Sequence, residues 1–171
     1  IPLNASFTTW AGWIVPYTTD FYLIVDDTAG TLIDTAVRDL AMIGLDRIAG
    51  YFDAAVIDGW AEGERPLGTV AQITAHDLQQ SLAHGAVTLV DVRNDGEWAA
   101  GRIAGAQHVP LGVVGDRAGE IPTGKPIVVQ CAAGARSSIA ASLLKARGID
   151  NVINLVGGIG EWRKAGLPVD R

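Results

Sequence analysis

The surroundings of the single cysteine, Cys131, restrict the fold more than any other part of the sequence. The apolar residues 127–129 before it predict a buried strand. The residues after it repeat apolar side chains at helical spacing as far as Gly148, which stands where a helix C-cap belongs. The cysteine therefore follows the carboxyl end of a strand and precedes a helix N-terminus. In open α/β sheets, ligands bind at that edge, so one stretch predicts both a fold class and a site.

The rest of the chain alternates strand and helix patterns, which predicts the α/β class. Unbroken apolar runs such as residues 21–25 are typical of parallel strands that are buried on both faces. We therefore expect an open parallel sheet with helices on both faces. The predicted strands are 21–25, 48–52, 87–92, 106–109, 127–131 and 152–156. The predicted helices are 32–43, 75–83 with Thr74 and Asp77 as a capping pair, 97–100, the segment after Cys131, and 159–165. Residues 58–72 are predicted to be a linker and 111–126 a loop.

The composition excludes several classes of protein. A single cysteine excludes an intramolecular disulfide and a cysteine-rich zinc site, and His76, His84 and His108 lack ligand spacing. We therefore predict no metal and no cofactor. Residues 1–66 hold 3 Lys and Arg against 10 Asp and Glu, and this acidity argues against a nucleic-acid partner. No apolar run is long enough to span a membrane and no signal peptide is visible, so we expect no membrane partner and a cytoplasmic location.

The cysteine loop, residues 131–137, is predicted to bind an anion. It consists of Cys131, Ala132, Ala133, Gly134, Ala135, Arg136 and Ser137. Backbone N–H groups at a helix N-terminus converge on one anion, and the helix dipole adds positive potential. With Arg136 nearby, the same field favours a thiolate. A lone cysteine after a valine-rich strand is more often a small core residue, but a core residue requires neither the glycine nor the arginine and serine that follow.

Four motifs in order resemble the rhodanese (sulfurtransferase) family and cover roughly the last hundred residues. They are Cys-x-x-Gly-x-Arg-Ser at 131–137, Asp-Val-Arg at 91–93 with Glu97 and Trp98, Gly-Arg-Ile-Ala-Gly-Ala-Gln-His-Val-Pro at 101–110, and Gly-Gly-Ile-Gly-Glu-Trp at 157–162. Two positions depart from the family pattern. Arg102 stands where the family usually has His, and His108 stands where Asn is common.

The resemblance implies sulfur transfer through a persulfide on Cys131. The donor is expected to be thiosulfate or a low-molecular-weight persulfide, and the acceptor a thiol or cyanide. The N–H groups of residues 132–136 are expected to stabilise the persulfide anion, and Arg136 to add charge. Asp91, Arg93 and Glu97 are expected to support the loop as a buried ion-pair and hydrogen-bond set. Trp98 and Trp162 are expected in the core.

Two other functions stay open at this point. Cysteine loops of phosphatases also bind an anion, but the tyrosine-phosphatase pattern has five residues between Cys and Arg, and here four separate Cys131 from Arg136. No aspartate that could serve as general acid is obvious nearby in the sequence. The second alternative is a regulatory or docking module that uses the fold without turnover.

The first part of the chain repeats the order of strand and helix patterns found in the second part. Residues 1–66 are predicted to be a partial, catalytically inactive rhodanese-like unit with its linker, and residues 67–171 the active domain. Val25 or a neighbour is expected at the cysteine position of the first unit, followed by the acidic Asp26 and Asp27. The missing front strand of this unit is expected to leave apolar surface open, which an upstream segment of a longer parent chain would complete.

Tandem units of this kind resemble the C-terminal part of metallo-β-lactamase–rhodanese fusion proteins. That resemblance implies an upstream metal-binding domain in the parent chain. The His-x-His-x-Asp-His motif of such a domain is absent from this sequence.

Overall fold

The computed structural model describes residues 1–27, 30–61 and 67–170. It divides into two compact units, Ile1–Thr69 and Val70–Arg171. Residues 62–66, which belong to the predicted linker, lie outside the described residues. On either side of them, residues 58–61 lie in a helix and residues 71–72 in a strand.

The first unit contains a two-stranded parallel sheet. Its elements are α1 (Phe7–Ile14), β1 (Phe21–Val25), α2 (Thr31–Ala41), β2 (Ile48–Asp53) and α3 (Val56–Ala61). A small core joins α1, α2 and the sheet through Phe7, Ala11, Ala36, Leu40 and Leu45. The prediction that residues 21–25 form a fully buried strand is wrong, because Tyr22 and Ile24 are 61% and 55% exposed. In the described part of the chain β1 pairs only with β2, and the face of the pair that carries Tyr22, Ile24 and Phe52 is exposed.

The second unit is an α/β layer structure around a five-stranded parallel sheet, in the order β3-β7-β6-β4-β5. Its strands are β3 (Ala71–Ile73), β4 (Thr88–Asp91), β5 (Gln107–His108), β6 (Ile127–Gln130) and β7 (Val152–Leu155). Its helices are α4 (Ala75–Ala83), α5 (Asp95–Ala99), α6 (Leu111–Val114), α7 (Ala135–Ala146) and α8 (Gly158–Lys164), with a short 3-10 helix at Ala118–Glu120. This arrangement confirms the predicted fold class.

One hydrophobic cluster of the second unit packs α4 and α8 against the sheet. Its buried members are Ala75, Leu78, Leu89, Ile103, Val128, Leu155, Ile159 and Trp162. Every residue of the central strand β6 is buried. The apolar run at 127–129 predicts this, and the polar Gln130 is buried with it. Thr74 caps α4 by accepting the N–H of Asp77 at 3.2 Å. The Asp77 carboxylate accepts the Thr74 hydroxyl and not its backbone N–H, so only half of a capping box forms.

Candidate active site

The cysteine loop connects the carboxyl end of β6 to the first turn of α7. Cys131 follows Gln130 directly and exposes 1% of its surface, so it lies at the base of the loop. Gly134 is the N-cap of α7 and has φ +104°, a conformation that favours glycine. This glycine lets the chain turn back over the sulfur within three residues.

Two groups of the loop contact the sulfur of Cys131. The backbone N–H of Gly134 donates to Sγ at 3.1 Å. The hydroxyl of Ser137 lies 3.4 Å from Sγ and 3.0 Å from the carbonyl oxygen of Gly134. Hydrogen bonds from an N–H and a hydroxyl favour negative charge on sulfur. The arrangement can therefore stabilise a thiolate or a sulfur anion attached to it.

The N-terminus of α8 also holds the cysteine loop in place through backbone hydrogen bonds. The sequence does not predict this contact. Ile159 and Gly160 donate backbone N–H groups to the carbonyl oxygens of Cys131 and Ala132, at 2.8 and 3.0 Å. A side chain at Gly158, which has φ +57°, would clash with the carbonyl oxygen of Cys131. The signal was the glycine pair at 157–158. This pair belongs to the family motif, but the motif alone does not predict how closely the backbone at Gly158 approaches the loop.

Arg136 pairs with Glu97 and does not extend freely toward the sulfur. Its Nη1 and Nη2 donate to Oε2 and Oε1 of Glu97 at 2.6 and 2.7 Å. The same carboxylate accepts the backbone N–H of Asn94 and completes a capping box on α5. The hydrogen bonds that Arg136 donates to Glu97 hold the pKa of Glu97 below its usual value and raise the pKa of Arg136. The pair therefore ties α5 to the cysteine loop.

Asp91 and Arg93 form a buried ion pair beside the loop. Their residues are 0% and 2% exposed, and Nη2 of Arg93 donates to Oδ2 of Asp91 at 2.6 Å. Arg93 also donates to the carbonyl oxygens of Glu97 and Gly101 at 3.1 and 2.8 Å. These contacts bring the predicted supporting residues together in two pairs, Asp91 with Arg93 and Glu97 with Arg136.

The two positions that depart from the family pattern flank Trp98. The ring of His108 stacks on the indole with centroids 4.6 Å apart, and the Arg102 guanidinium carbon lies 5.2 Å from the centroid of the Trp98 ring. His108 also donates from Nε2 to the carbonyl oxygen of Arg93 at 2.8 Å. Trp98 is half-buried and lies between these polar side chains. The prediction of a core role is therefore wrong for Trp98, whereas Trp162 is 3% exposed and lies in the core.

In the first unit, Asp27 precedes a helix with the same spacing as Cys131 in the second. Gly30, the N-cap of α2, has φ +74° and Asp27 precedes it by three residues, as Cys131 precedes Gly134. The carboxylate of Asp27 accepts the backbone N–H groups of Thr31 and Ile33 at 3.2 and 2.7 Å. Val25 or a neighbour is expected at the cysteine position. Val25 is still paired within β1, and Asp27 is the neighbour that precedes the N-cap glycine by three residues.

Among the described residues, no group of three or more His, Cys, Asp or Glu is placed to hold a metal ion. Within the same residues, no helix has the length and apolarity needed to cross a membrane.

Comparison with protein-family models decides the family. The model of the rhodanese-like domain matches residues 74–165, more than half of the chain. The chain belongs to the rhodanese-like domain family. The match includes the whole rhodanese cysteine loop and the ion pairs around it, and it begins within the second compact unit.

Named relatives of this rhodanese domain fall in the same region. A sulfurtransferase of Allochromatium vinosum is 40% identical over 101 residues, which are 58% of this chain and 94% of that protein. A putative sulfur carrier protein of Bacillus subtilis, YrkF, is 38% identical over 95 residues, which are 55% of this chain and only 51% of that protein. The crystal structure of a rhodanese-related protein from Thermoplasma volcanium is 32% identical, with a TM-score of 0.55 over 58% of this chain and 97% of that one.

Proposed function

We propose that the second unit is a sulfurtransferase that carries sulfur as a persulfide on Cys131. The observation that supports this most directly is the Sγ atom of Cys131 at 3.1 Å from the N–H of Gly134, at the base of a strand–loop–helix junction. Family membership and relatives named as sulfurtransferases support the same reaction.

The reaction proceeds by two displacements. The Cys131 thiolate attacks the outer sulfur of the donor, a new S–S bond forms, and the donor's own bond to that sulfur breaks as its remainder leaves as an anion. An acceptor thiolate or cyanide then attacks the outer sulfur of the persulfide and restores the Cys131 thiolate. The backbone N–H groups of residues 132–136 and the Ser137 hydroxyl stabilise the anionic sulfur in both steps.

The ion pairs around the loop favour a low-molecular-weight persulfide over thiosulfate as donor. Arg136 is the only basic residue of the loop and its guanidinium is paired with Glu97, while Arg93 is paired with Asp91. A dianion gains most from an uncompensated cation, and these pairs leave little such charge near the sulfur. The same charge balance counts against a phosphate ester as substrate.

The proposal is tested by replacing the sulfur. Cys131→Ser keeps the size of the side chain, so the fold should persist, while mass spectrometry should show no added sulfur after exposure to glutathione persulfide or thiosulfate. Ser142→Ala, on an exposed position of α7, is the matched control and should load sulfur normally. Retained turnover in Cys131→Ser would exclude a persulfide on this residue, and faster loading from thiosulfate than from the persulfide would overturn the donor preference.

For the first unit we propose a partial, catalytically inactive rhodanese-like unit with a docking role. Asp27 at the cysteine position supports inactivity, because a carboxylate cannot carry sulfane sulfur. The parallel pair β1–β2 with α2 between its strands follows the order of β6, α7 and β7. The similarity to metallo-β-lactamase–rhodanese fusion proteins and the cytoplasmic location stay predictions.

A further inference from the structure

The turn geometry of the second unit recurs 104 residues earlier in the first. In each unit the helix after the loop begins behind a left-handed glycine, Gly30 in the first unit and Gly134 in the second. A second left-handed glycine follows each helix, Gly44 with φ +82° and Gly148 with φ +83°. Each helix also ends with an equivalent backbone hydrogen bond, Leu45 to Leu40 at 3.0 Å and Ile149 to Leu144 at 3.1 Å. At this constant spacing Asp27 corresponds to Cys131.

The Asp27 carboxylate bonds to the same turn of its helix as the Cys131 sulfur, but one atom further out: the sulfur accepts from the N–H of Gly134 and the hydroxyl of Ser137. The oxygens of Asp27 accept the N–H groups of Thr31 and Ile33, whose counterparts are Ala135 and Ser137. Partial burial alone would raise the pKa of Asp27, but hydrogen bonds from Ile33, Leu32, Thr31 and Gly30 hold it below its usual value. We call Asp27 and Gly30–Ile33 the aspartate loop. The backbone N–H groups of this loop bind an anion, and that anion is the carboxylate of Asp27 itself.

We propose that Asp27 stands in the place of a persulfidated cysteine, with its carboxylate oxygens where the outer sulfur of the Cys131 persulfide would lie. An aspartate oxygen is two bonds from Cβ, and so is the outer sulfur of a cysteine persulfide. This inference rests on the proposed sulfur transfer at Cys131. It implies that the first unit is unable to take sulfur because its loop is already filled, and that exchanging one side chain makes the aspartate loop a sulfur acceptor.

The step in such a variant balances as it does at Cys131. The thiolate introduced at position 27 attacks the outer sulfur of glutathione persulfide and forms one S–S bond. The S–S bond of the donor breaks, and glutathione leaves as a thiolate that takes a proton from water. Sulfur is neither gained nor lost, and no further oxidant or reductant is required.

The test uses the full chain in which Cys131→Ser has removed the native thiol. In this background Asp27→Cys is compared with Asp26→Cys, which places a thiol one residue earlier at an exposed position. We expect persulfide formation, followed by mass spectrometry, to be at least about tenfold faster at position 27, since one unit of thiol pKa changes the thiolate fraction about tenfold. Equal rates at the two positions would overturn the proposal.

Two parallel measurements distinguish a failure of the proposed sulfur transfer at Cys131 from a failure of the inference about Asp27. Loading of the unaltered chain is followed alongside, and its absence would contradict sulfur transfer at Cys131 itself. Loading at Cys131 without a preference for position 27 contradicts only the present inference. Because the variants can lose their fold, the Asp27 carboxyl is also titrated by NMR in the unaltered protein. Titration below the ordinary aspartate range is expected, and titration at or above that range would show that the aspartate loop does not hold an anion.

Discussion

At the scale of single residues, we expect substitution of Arg136 to slow sulfur loading and substitution of Arg93 to lower stability. Arg136→Ala leaves the Glu97 carboxylate unpaired beside the cysteine loop, and we expect the barrier to sulfur loading to rise by about 1–3 kcal/mol, the range for a charge-assisted hydrogen bond. Arg93→Ala leaves Asp91 buried without its partner and should cost about 3–5 kcal/mol of stability. Loading kinetics and thermal melting of both variants check this. An equal loss of rate in Arg93→Ala without a lower melting temperature would place Arg93 among the sulfur-binding residues.

Glu97 should make the stability of the second unit depend on acidity. Arg136 holds the pKa of Glu97 below the usual glutamate value of 4.5 in the folded protein. A group with a lowered folded pKa contributes its stability above its unfolded pKa and loses it as the pH falls through the folded pKa. We therefore expect the melting temperature to fall on acidification below about pH 4.5, and to fall less steeply in Glu97→Gln. Identical slopes in both proteins would show that the pair with Arg136 contributes nothing.

At the scale of elements, the contact between α8 and the cysteine loop should depend on Gly158. Gly158→Ala adds a methyl group against the carbonyl oxygen of Cys131 and also strains a positive φ. Gly166→Ala meets the same kind of strain at φ +71° but has no neighbour within 4 Å, so it is a matched control. Strain alone costs about 1–3 kcal/mol, and we expect Gly158→Ala to lower the melting temperature and the loading rate further. Equal losses in the two variants would argue that the contact does not position the loop.

The sequence predicted the elements whose signals are contiguous and missed those that depend on distant partners. The strand, loop and helix around Cys131 follow one another, so spacing was sufficient. The bond between Arg136 and Glu97 joins residues 39 apart, which no local pattern encodes. Strand β3 has only three residues, and its stability comes from pairing with β7. The sequence alone leaves the cysteine position of the first unit at Val25 or a neighbour, because counting from the strand leads to Val25, whereas counting back from the N-cap glycine Gly30 leads to Asp27.

At the scale of the whole molecule, the first unit should be the source of any self-association. Tyr22, Ile24 and Phe52 expose about half or more of their surfaces. An apolar groove of about 660 Å³ also runs along β1. Exposed apolar strands promote association. We expect residues 67–171 alone to be monomeric and fully active, and residues 1–171 to bind more hydrophobic dye in the same assay. If the shortened chain unfolds while the full chain is a clean monomer, the division near residue 66 is wrong.

The position of β6 in the middle of its sheet also has a consequence for hydrogen–deuterium exchange. Two strands lie on each side of β6, and the outer ones, β3 and β5, have three and two residues. Local opening starts where few buried contacts hold the backbone, so deuterium should enter at these short outer strands long before it reaches residues 127–130. Fraying of the sheet margins then leaves Cys131 in place, and the reactive sulfur keeps its position while the periphery of the domain fluctuates.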